Sequence, residues 1–189
     1  MTARLARIRD LMAAVHALQP SAGRLGRPVS AADLDAFEAD HGVVLPESYR
    51  TFLEAFGDGA YLPAVAGGYA LPLAENRSDP VWSSFAGPIT EPFPYTGTEP
   101  VALPWDDEAD DYVRPDPMRG TICLGSGGCD VVHVLVVTGE ARGTVWTFVP
   151  GLDEELQPTG LDVLDWAIAQ LERALGEQQK YARWRGEGG

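Results

Sequence analysis

The stretch LGSGGCDVVHVLVVTGEARGTVWTF, Leu124–Phe148, decides the fold. Its middle, DVVHVLVVTG (130–139), is a nearly unbroken apolar run rich in β-branched residues. A strand with one wet face alternates apolar and polar side chains. A run without that alternation suits a strand covered on both faces. Upstream, GTICLG (120–125) reads as a short strand and SGGC (126–129) as the turn that follows it. Gly127 and Gly128 there suit positive φ or close backbone packing. Downstream, GEARG turns the chain into TVWTFV (144–149), where period two puts Trp146 and Phe148 on one face. The three strands form a meander, expected at the centre of the sheet.

Helices flank this meander. In the first 18 residues, Leu5, Ile8, Met12, Val15 and Leu18 recur at helical spacing. Asp10 and His16 interrupt the apolar part, which argues for an amphipathic helix and against an export signal. After a Pro/Gly loop (19–30), Ser30 and Asp33 make a capping-box-like start for a second helix carrying Leu34 and Phe37 and ending near Gly42. In LPESYRTFLEAFGDGA (45–60), Pro46 suits a first helical turn. Tyr49, Phe52, Leu53 and Phe56 form one apolar face, and Gly57 and Gly59 end the helix. A last helix is expected to start with Thr159 and Asp162 as another capping-box-like pair. Its stripe is Leu161, Leu164, Ile168, Leu171 and Leu175, and it stops at Gly176. The tail 177–189 is expected to fray.

Residues 60–118 are dense in Pro and Gly. Their prolines exclude a long helix or a central strand. The whole chain, 1–189, therefore reads as one α+β domain: a single mixed, mostly antiparallel sheet with helices packed against it and an irregular middle segment.

Composition narrows the function. Twenty-eight acids against 14 bases give a net charge of −14. That field excludes a nucleic-acid partner, whose phosphates require clustered cations, and favours a basic protein. The bases are thirteen arginines and one lysine, a bias attributed to a GC-rich genome. No apolar run of about 18 residues exists, so no membrane span is expected. The two cysteines, Cys123 and Cys129, could bridge over a short loop but are expected as free thiols of a cytoplasmic protein.

Chemistry-bearing motifs are sparse. Cys123, Cys129 and His133 have the wrong spacing for structural zinc and lack a fourth ligand, so no metal is expected. GSGG lacks a P-loop pattern and precedes a strand, so no phosphate cofactor is expected either. Cys129 and His133 could pair as nucleophile and base, although a lone His on an apolar strand is more often structural. One segment stands apart: WDDEADDY, Trp105–Tyr112, five acids between two aromatics. It reads either as a solvated charge run or as an acidic contact surface with aromatic anchors.

A resemblance follows from two of these blocks. LPESYRTFLEAFGDG resembles the N-terminal signature of the SUKH superfamily, the Smi/Knr-like proteins. GTICLGSGGCDVVHVLVVTGEARGTVW resembles the family's second block, a glycine-rich turn leading into an apolar strand, a Thr-Gly turn and an aromatic strand. The resemblance implies one sheet with helices against it and no shared catalytic motif. Bacterial members look like immunity proteins that bind and block a toxin; fungal relatives regulate cell-wall assembly. The expected function is therefore a non-enzymatic immunity protein for a cognate basic toxin. The alternatives are a regulatory or scaffold module on a housekeeping partner and an enzyme using Cys129 and His133. The expected contact residues are Trp105, Asp106, Asp107, Glu108, Asp110, Asp111 and Tyr112, with Asp58 and Tyr61 in addition.

Overall fold

The computed structural model describes residues 2–20, 25–58, 89–103, 105–106, 111–112, 119–128, 131–148 and 155–187. Along the chain these form α1 (Thr2–Leu18), α2 (Ala31–His41), α3 (Glu47–Phe56), β1 (Val101–Ala102), β2 (Trp105–Asp106), β3 (Asp111–Tyr112), β4 (Thr121–Gly128), β5 (Val131–Val136), β6 (Val145–Phe148), β7 (Glu155–Pro158) and α4 (Val163–Glu187). The main sheet has the order β1-β7-β6-β5-β4, and every described pairing is antiparallel. The fold is α+β, as expected.

The meander is longer than the sequence shows. β7 continues it, and β1 returns from the proline-rich segment to close the far edge. The opening stretch thus holds β6 at the centre, β5 beside it and β4 at the end of the described sheet. Ser126–Gly128 do not form the expected turn. They extend β4, pairing with β5 through register shifts at Cys123/Gly125 and Ser126/Gly128. A bulge needs backbone freedom, which this glycine-rich run supplies.

The sheet is covered on both faces. Ile122, Leu124, Leu135, Val137 and Val145 pack against the helices. Cys123, Val132, Val134, Val136, Trp146, Phe148 and Leu156 form a second core with Phe93 and Leu103 from the irregular segment. Phe93 meets Trp146 edge-on, with ring centroids 5.1 Å apart. That segment is tied down by main-chain groups. The Phe93 N–H donates to the Thr138 carbonyl (3.1 Å), and Thr138 Oγ1 lies 2.6 Å from the Glu91 carbonyl.

On the other face, α1 packs along α4 through Ile8, Leu11, Met12 and Val15, while Leu18 is exposed. Ser30 caps α2 by accepting the Asp33 N–H at 3.2 Å, and Gly42 ends it in the left-handed region. Tyr49, Phe52, Leu53 and Phe56 are all buried. α4 departs from expectation at both ends. Its cap is Asp162, whose Oδ1 accepts the Leu164 and Asp165 N–H groups at 3.0 Å. Thr159 instead donates to the Val145 carbonyl. The helix also runs through Gly176 to Glu187. One interior glycine costs only about 1 kcal/mol, good helix formers follow it, and Gln178 Nε2 donates to Gln19 Oε1 on α1's end at 2.8 Å. No described helix is long and apolar enough to cross a membrane.

The glycine after α3 has a strict requirement. Gly57 has φ +88°, and a Cβ there would sit 2.4 Å from the Gly26 carbonyl carbon and oxygen. The close approach lets the Gly26 N–H reach the Phe56 carbonyl (2.8 Å) and pairs Arg27 with Asp58. Gly57→Ala is expected to destabilise the fold by about 2–4 kcal/mol, read as a lower urea midpoint at unchanged slope. Gly176→Ala, whose Cβ would meet nothing within 4 Å, is expected to be neutral or to stabilise by up to about 1 kcal/mol.

Candidate partner-binding site

The acidic segment emerges from the sheet's edge. β1 pairs with β7 so that Val101 lies opposite Leu156 and Ala102 opposite Glu155. The chain then forms the separate ladder β2–β3, with Trp105 opposite Tyr112 and Asp106 opposite Asp111. The two aromatics that bracket the acids are thus a cross-strand pair, and so are the first and last acids. Asp107, Glu108 and Asp110 fall outside the described residues, as does Tyr61. The register adds one acid that sequence reasoning missed. Glu155 stands opposite the strand that leads into the ladder, and Asp153 and Glu154 precede it in the chain. The available signal was a second acidic run, Asp153–Glu155, whose last member begins β7.

Asp58 lies just past the end of α3. Its N–H donates to the Arg27 carbonyl (2.7 Å) and its carbonyl accepts the Arg27 N–H (3.0 Å), which fastens the loop before α2 to the end of α3. Its main chain therefore has a structural role, an isolated antiparallel bridge with Arg27.

Cys123 and His133 face opposite sides of the sheet. Cys123 is a buried free cysteine in the second core, and burial pushes its thiol up to about 12. His133 lies on the helix side. Its Nδ1 shares a 3.1 Å hydrogen bond with Thr147 Oγ1, and its ring meets Trp166 edge-on at 5.3 Å. Burial, and secondarily the charge of Arg173, lowers its pKa from 6.5 to about 4. It is therefore neutral near pH 7 and serves packing. Cys129 falls outside the described residues. Among the described residues no three His, Cys, Asp or Glu side chains are grouped to hold a metal ion.

An antiparallel sheet backed by helices fits a protein-binding module of the Smi/Knr-like class. The model of the SMI1 / KNR4 family (SUKH-1) matches residues 28–176, and the chain belongs to that family. Both sequence blocks that carried the resemblance lie inside the match. No curated protein and no solved structure matches the chain.

The neutral His133 gives a pH dependence of definite sign. Its folded pKa lies below the unfolded value of 6.5, so the unfolded chain binds the extra proton between the two. Its contribution is present above pH 6.5, falls as pH drops toward 4 and changes little below that. The full loss is on the order of 3 kcal/mol. Urea unfolding at pH 7.5, 6 and 5 is expected to show this decline, with a shallower one in His133→Gln, which keeps a polar partner for Thr147.

Proposed function

We propose that the chain is an immunity protein. It binds and neutralises a basic toxin domain through the acidic sheet edge, and it performs no catalysis of its own. Membership of the SMI1 / KNR4 family is the observation that carries this reading. The charge supports it. The whole chain carries −14, and residues 106–111 hold five acids beside a strand that pairs with Glu155. Trp105 and Tyr112 supply the amphipathic area that anchors such interfaces. The burial of Cys123 and His133 supports the non-enzymatic part of the reading.

The test is capture of partners from the source cell's lysate, with mass spectrometry of what stays bound. A single basic enzymatic domain is expected. Replacing Asp106, Asp107, Glu108, Asp110 and Asp111 by their amides is expected to slow association about tenfold or more at low salt, with a smaller effect on dissociation. Cys129→Ser is expected to leave neutralisation intact. Retention of a housekeeping complex instead would favour the regulatory reading. Normal folding with lost activity in Cys129→Ser would revive a thiol mechanism.

A further inference from the structure

We draw no further inference here: the strongest candidate, the open apolar groove that Leu18 at the end of α1 forms with Tyr181 and Trp184 on the last turns of α4, carries none, because nothing in the structure shows what covers it.

Discussion

β5 is buried on both faces, and the rest of the molecule answers that constraint. Val132, Val134 and Val136 point to one core and Leu135 to the other, each at most 2% exposed. A sheet so apolar must be covered twice. The helices cover one face with long side chains. The other face gets no helix among the described residues. It is closed by Phe93 and Leu103 on an irregular chain tied to Thr138, which accepts the Phe93 N–H and donates to the Ile89 and Glu91 carbonyls. A Cβ on Gly120 would lie 2.5 Å from the Glu91 carbonyl oxygen, so the cover and the sheet can approach only because that residue is glycine. His133 inherits the same constraint. Placed on a strand with no wet face, it persists as a neutral ring that spends its polarity on Thr147.

The Leu-Pro junction ahead of α3 shows why a short motif can report a fold. Leu45 is 1% exposed, yet both of its backbone groups are in use. Its N–H donates to Glu38 Oε1 at 2.7 Å, and its carbonyl accepts from Arg142 at 3.0 Å. Glu38 also takes Arg50 at 2.7 Å, and Arg50 reaches Asp35. One residue therefore joins α2, α3 and the turn between β5 and β6. Buried main-chain groups must be paired, so the leucine, the acid and the two arginines are required together. At the other end of α3, Gly57 provides the close backbone approach. The signature's end points are the positions where α3 is fixed.

Much of this was legible because it is local. Period 3.6 gave the buried face of α3 and Ile8, Met12 and Val15 of α1, though it also placed the exposed Leu18 there and left out Leu11, and the nearly unbroken run 131–137 gave a doubly covered strand. Ser30 was readable as a cap because its partner Asp33 is three residues away. The misses share a cause. β1 and β7 are short and pair across more than fifty residues, so neither carries a periodic signal of its own. The sequence pattern places α4's cap at Thr159, but that hydroxyl donates to the Val145 carbonyl on β6, a tertiary partner that composition does not reveal. Gly176 read as a stop because nothing in the sequence showed that Gln178 would reach Gln19. The candidate edge was half legible. Its acids and aromatics are contiguous, whereas Glu155 joins them only through the β1–β7 register.

The arginine bias acquires a physical account once the ion pairs are placed. Arg4 bridges Asp162 and Asp165 at 2.8 and 2.9 Å, holding α1 to the capped end of α4, and Arg50 spans Asp35 and Glu38. Hydrogen bonds to their carboxylates raise the pKa of both. A planar fork serves two carboxylates or two carbonyls at once, which a lysine ammonium does with less order. Arg142 does the same with the Val44 and Leu45 carbonyls. These partly exposed pairs contribute little stability individually. Arg4, Arg50 and Arg142 thus act as clasps between elements, each fork answering two oxygens that the fold has already brought together.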